Sequence, residues 1–160
     1  MGIVGSRDRS MRYFEDFKVG DVIPLAPLSI GEAEILAFAR KFDPQPMHLD
    51  PEAARRGAFG GLIASGWHTC ALAMRATAAW FAEAKVAALG SPGLDQVRWL
   101  APVRPGDRLA GSFEVLEMRP SSSRPMGIVK QRLEFRNQAG TLVLSMIGTG
   151  FFARRPEPAA

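Results

Sequence analysis

Residues 42 to 48 read FDPQPMH, and they place a carboxylate, Asp43, five positions before an imidazole, His48. Pro44 and Pro46 fix φ and bias the residues before them toward extended geometry, so the segment is expected to be a short, stiff loop held away from helix. A carboxylate and an imidazole on such a loop suit general acid–base work near neutral pH. Eighteen residues beyond His48, Gly66 opens a long apolar run. A helix starting there would offer a backbone N–H and the positive end of its dipole to a developing oxyanion. Each of these residues also has a plainer reading. Asp before Pro is a common turn or cap residue, and a single loop histidine is commonly structural.

The elements that must position these groups follow from periodicity. Residues 21 to 30 (DVIPLAPLSI) are apolar but broken by Pro24 and Pro27, as in an irregular edge strand. Ser29 and Glu32 have capping-box spacing, and Ile35, Phe38, Ala39 and Phe42 form the apolar stripe of a helix ending at Asp43. Pro51 suits the first turn of a further short helix, and Gly57, Gly60 and Gly61 break the chain after it. From Gly66 to Lys85 the pattern is helical and apolar nearly all round. Trp67, Cys70, Ala71, Met74, Ala78 and Phe81 share one face, so protein is expected to surround this helix. Ser65 is placed to cap it. His68, near its start, reads as a core or dimer-contact histidine. Runs at 94–101, 107–118, 127–137 and 141–152 read as four antiparallel strands in hairpin order, the last apolar on both faces and central.

Composition sets the bounds. One chain of 160 residues, 47% hydrophobic, fits a single domain with a sizeable core. Residues 1–11 read as a flexible arm, 12–153 as the domain and 154–160 as a flexible tail. The formal charge of +4 is scattered, which argues against nucleic acid and suits a small anionic ligand. One cysteine, Cys70, allows no internal disulfide and reads as a buried thiol in a reducing compartment, so a cytoplasmic location is expected. Two histidines without ligand spacing make a metal site unexpected. The first ten residues lack the apolar run of a signal peptide, although Gly2 and Ser6 fit the short acylation pattern. No stretch reads as a membrane span.

A buried helix followed by an antiparallel sheet that curls around it is an α+β hotdog arrangement. FDPQPMHLDPEAA, GLIASG and APVRPGD together resemble the MaoC-like dehydratases, a family that includes (R)-specific enoyl-CoA hydratases. The resemblance runs from about Tyr13 to Phe152. It implies that Asp43 and His48 are the catalytic pair and that the Gly66 amide is the oxyanion hole. The pattern departs from the family at four places. Lys41 and Phe42 stand where a small residue and Gly are usual, Gln45 replaces Asn, and Ser65 replaces a His before the helix glycine. Phe42, Gln45 and Ser65 are thus expected to bind substrate or to support the pair.

The resemblance implies reversible hydration of an enoyl thioester on CoA or acyl carrier protein. The substrate would carry the pantetheine, and no resident cofactor is expected. A homodimer is expected, because a curled sheet leaves an open edge. Two other readings stand beside this one: a non-catalytic acyl-CoA-binding hotdog module, and a hotdog thioesterase. The second is disfavoured because the central helix carries no acid before Glu83. Arg104, in PVRPGD, reads as a solvated loop residue.

Overall fold

The computed structural model describes residues 10–157; the acylation pattern and most of the expected arm lie outside them. A 3-10 turn at Phe14–Asp16 leads into strand β1 (Val22–Ser29) and helix α1 (Glu32–Phe42). Two short helices follow, α2 (Pro46–Leu49) and α3 (Pro51–Arg56), and then the long helix α4 (Gly66–Glu83). Strands β2 (Ala88–Trp99), β3 (Arg108–Pro120), β4 (Met126–Arg136) and β5 (Leu142–Ala153) complete the chain.

The five strands form one sheet in the order β1-β3-β4-β5-β2, every pair antiparallel. Its inward rows (Leu109, Phe113 and Val115; Val129, Leu133 and Phe135; Leu144, Met146 and Phe152) bury against Leu72, Ala73 and Ala76 of α4. This is the hotdog fold. Strands β3, β4 and β5 are successive hairpins, as their turn sequences indicate. Strand β2 is not in hairpin order with β3: it crosses to pair with β5 and leaves its other side open. The apolar run of β5 thus serves a strand paired on both sides, and β4 is the central one.

Local chemistry explains most boundaries. Asp50 caps α3 by accepting from the N–H groups of Glu52 and Ala53, with Pro51 at the first helical position. The Ser29 cap does not form. Ser29 is the last residue of β1, paired with Arg108, and Gly31 is the N-cap of α1 without a side-chain bond. Pro46 starts the single turn of α2, because proline is compatible with a first helical position, so the expected stiff loop is one helical turn at its far end.

Helix α4 is turned differently from its sequence reading. Its buried row is His68, Thr69, Leu72, Ala73, Ala76 and Thr77, whereas Trp67 and Met74 are 61% and 53% exposed. The small and hydroxyl residues let the sheet approach closely. The hydroxyls of Thr69 and Thr77 are satisfied within the helix, on the carbonyls of Ser65 and Ala73. Cys70 is half-buried, and burial raises its thiol pKa. At the C-terminus, Arg154 and Arg155 pair with Glu15 and Asp16, so the first residues of the expected free tail are tied to the 3-10 turn. Among the described residues no helix is long and apolar enough to cross a membrane.

Candidate active site

Three chain segments converge at the N-terminus of α4. The Met47 carbonyl accepts from the Ile63 N–H (3.1 Å), and the Ala64 N–H donates to the Val103 carbonyl (2.8 Å). The segment ahead of α4 is thereby laced between the α2 turn and the loop that follows β2. Around this seam lies a cavity of about 460 Å³, whose walls include Asp43, Gln45, His48, Gly66, Trp67 and Trp99.

Asp43 is the C-cap of α1, and its N–H donates to the Ala39 carbonyl. Each oxygen of its carboxylate accepts one hydrogen bond. Gln45 Nε2 donates to Oδ1 and Ser65 Oγ donates to Oδ2, both at 2.7 Å. These bonds, the one from Gln45 first, hold the carboxyl pKa below its ordinary value; partial burial opposes them and the nearby His48 adds to them. The side chain of Asp43 retains 19% of its exposure, so the anion still faces the cavity.

His48 is buried, and its Nδ1 lies 2.9 Å from the Ile63 carbonyl. A carbonyl only accepts, so Nδ1 carries the hydrogen and Nε2 is the free nitrogen of the neutral ring. Nε2 stands 3.5 Å from Asp43 Oδ2. In the neutral tautomer two acceptors therefore face each other across a gap longer than a hydrogen bond. A proton on Nε2, or a water donating one hydrogen to each, relieves that confrontation.

Ser65 performs two tasks. Its Oγ donates to Asp43 and accepts from the Trp67 N–H (3.2 Å), which joins the end of α1 to the start of α4 through one buried hydroxyl. The Gly66 N–H has no partner among the described residues, and Gly66 lines the cavity. The need for glycine there has a cause absent from the sequence reading. A Cβ at position 66 would come within 2.5 Å of the Trp99 ring, and Trp99 Nε1 donates to the Gly66 carbonyl at 2.8 Å. The closest neighbour of this backbone is an indole.

Two further sequence readings change in the structure. Phe42 is not among the cavity walls. It is 63% exposed and packs against Phe38 with the rings tilted by 46° and centroids 4.9 Å apart. Arg104 is not merely solvated: its Nη2 donates to the Phe59 carbonyl at 2.6 Å and pins the loop ahead of the seam. His68 is a packing residue, stacked on Phe38 at 4.5 Å with its Nε2 3.7 Å from Glu34. Sequence reasoning missed Trp99 and assigned Trp67 to the core. The one available signal was a tryptophan two residues ahead of APVRPGD, in a strand otherwise poor in large side chains. Among the described residues no cluster of His, Cys, Asp and Glu has metal-binding geometry.

The model of the MaoC like domain matches residues 16–134, about three-quarters of the chain. The chain belongs to the MaoC-like family. It is 41% identical to a MaoC-like dehydratase from Rhodospirillum rubrum of known structure, which superposes with a TM-score of 0.81 over 91% of this chain and 99% of that one. It is 32% identical to the uncharacterized protein YdeM of Bacillus subtilis over 78% of this chain and 86% of that protein. It is also 32% identical to 3-hydroxyacyl-thioester dehydratase Z of Mycobacterium tuberculosis over 66% of this chain and 75% of that protein. The MaoC-like motif therefore sits on the fold it implied, with Asp43, His48 and Gly66 lining one cavity and Ser65 bonded to Asp43 behind them.

Proposed function

We propose that this protein is a hydro-lyase that reversibly adds water to a 2-enoyl thioester carried on CoA or acyl carrier protein. The observation that carries the proposal is the pair of facing acceptors, Asp43 Oδ2 and His48 Nε2, 3.5 Å apart in the cavity that the start of α4 lines. A water donating to both presents its oxygen to C3 of the substrate. The new C3–O bond forms as the C2=C3 double bond opens. The pair takes one water proton, and one proton is delivered to C2. The two groups hold that proton as a unit and return it to C2. Negative charge gathers meanwhile on the thioester oxygen, which the Gly66 N–H and the α4 dipole are suited to receive. In this reading Gln45 and Ser65 are positioning residues that hold the Asp43 carboxylate, and the pantetheine arrives with the substrate.

The test follows crotonyl-CoA absorbance with the wild type, Asp43→Asn and His48→Ala, each with a thermal melt. Hydration by the wild type is expected, with a loss of about 10²–10⁴-fold in each variant and little change in melting. Full activity in either variant overturns the pair. One observation favours a second reading, a non-catalytic acyl-thioester-binding module: the Trp99 indole already occupies the space beside Gly66. Binding of enoyl-CoA without turnover at any chain length would replace the hydro-lyase by that module. Release of free thiol would indicate a thioesterase, for which α4 offers no acid before Glu83 at its far end.

A further inference from the structure

A second cavity, of about 510 Å³, lies between α4 and the sheet, and Trp67 belongs to the walls of both cavities. Its lining is apolar with few exceptions and contains no charged side chain. One residue is out of keeping with it. Strand β4 alternates, so that Val129, Leu133 and Phe135 point inward and are buried; Gln131 occupies the same inward row. Its Oε1 is buried and has no hydrogen-bond partner among the described residues. The hollow in front of it is made by glycine. Gln131 is in register with Gly148 of β5, and a Cβ at Gly150 would lie 3.4 Å from Gln131 Oε1 and 2.9 Å from the Phe152 ring. An unpaired amide oxygen on the core face of a central strand is unfavourable, and an apolar side chain of the same length would avoid the penalty.

We propose that this second cavity takes the acyl chain of the thioester and that Gln131 selects chains bearing a hydroxyl group distant from the thioester. The proposal rests on the thioester reading above and adds to it the chemistry of the chain. An orphan acceptor calls for a donor. In a cavity without countercharge the donor is neutral, which excludes an amine. The other hydroxyls in the lining are already engaged: Thr77 Oγ1 on the Ala73 carbonyl at 2.9 Å, and Ser91 Oγ on the Thr149 carbonyl at 2.6 Å. A hydroxyl both donates and accepts, so it satisfies the Gln131 amide in either orientation of its O and N.

The experiment measures binding of saturated, non-reactive acyl-CoAs by titration calorimetry. Plain and terminally hydroxylated chains are paired from hexanoyl to dodecanoyl, so that the series scans the distance to Gln131. The wild type is compared with Gln131→Leu and, as a second apolar variant, Gln131→Met. At the matching length the wild type should bind the hydroxylated chain about tenfold more tightly than the plain one, and both variants should reverse that order. Equal or weaker binding of the hydroxylated chain at every length overturns the proposal. So does a preference that survives both substitutions, or an absence of acyl-CoA binding. Crotonyl-CoA hydration, assayed separately, tests the parent reading. Turnover without hydroxyl preference leaves the hydro-lyase standing and removes this inference, whereas hydroxyl preference without turnover does the reverse.

Discussion

Asp43 accepts from Gln45 on one oxygen and from Ser65 on the other, and both bonds favour its ionised form. Removing either donor should raise its pKa toward the ordinary carboxylate value. In Gln45→Ala and Ser65→Ala the acid limb of the kcat/KM–pH profile is therefore expected to move to higher pH, since that profile reports the free enzyme. The linkage has a definite sign. A carboxyl whose folded pKa lies below its unfolded value of about 3.9 stabilises the fold above that value, and the contribution disappears as pH falls through the folded pKa. The stability deficit of Gln45→Ala should accordingly be largest at neutral pH and shrink in acid, as denaturant melts across that range would show. Ser65→Ala also removes the α4 cap, for an additional loss of about 1 kcal/mol. Gln45 is legible in the sequence as a replacement for Asn, and its extra methylene lets Nε2 turn back onto Asp43. Phe42 is the opposite case. Its ring lies on Phe38 outside the cavity walls, so Phe42→Ala is expected to leave acyl-chain preference unchanged in a chain-length series of enoyl-CoAs.

The start of α4 and the end of β2 are fitted to each other. The Trp99 indole rests where a Cβ of residue 66 would be, and it is held by the Gly66 carbonyl. Gly66→Ala should therefore act through Trp99. The indole must move, because atoms 2.5 Å apart cannot coexist, and the cavity wall moves with it. Loss of activity accompanied by a change in tryptophan fluorescence and near-UV dichroism is expected. Loss of activity with unaltered tryptophan spectra would place the effect in the backbone alone. Trp67 packs edge-on against Trp99 at 5.5 Å and lines both cavities. Trp99 lines the cavity of the polar pair, and Trp67 is the residue that the two cavities share.

The whole molecule ends in an open edge. Among the described residues strand β2 pairs only with β5, and Leu89, Leu94 and Trp99 along it are exposed. Such an edge invites pairing with another strand. The simplest closed arrangement is a two-fold dimer in which two β2 edges meet and the exposed Trp67 and Met74 of α4 are covered. Sedimentation at micromolar concentration is expected to give a dimer, and Leu94→Asp to shift it toward monomer. A wild-type monomer under those conditions would remove the dimer and any contribution of a partner copy to the site.

The sequence by itself determined the family, the candidate pair Asp43 and His48, and most of the element types. Those rest on local facts: a DPQPMH spacing, a serine ahead of a glycine-initiated apolar helix, and alternating strands joined by turn residues. What it did not determine was orientation. Helix α4 is apolar nearly all round, so hydrophobicity could not say which face meets the sheet, and the small and hydroxyl residues won because they permit close approach. The partner of β2 was read wrongly as its hairpin neighbour, since hairpin adjacency is a local signal and a crossover is not. Trp99 over Gly66, the tautomer of His48 fixed by Ile63, and the unpaired amide of Gln131 each depend on atoms from segments distant in the chain. Only tertiary packing brings such atoms within hydrogen-bonding or van der Waals range.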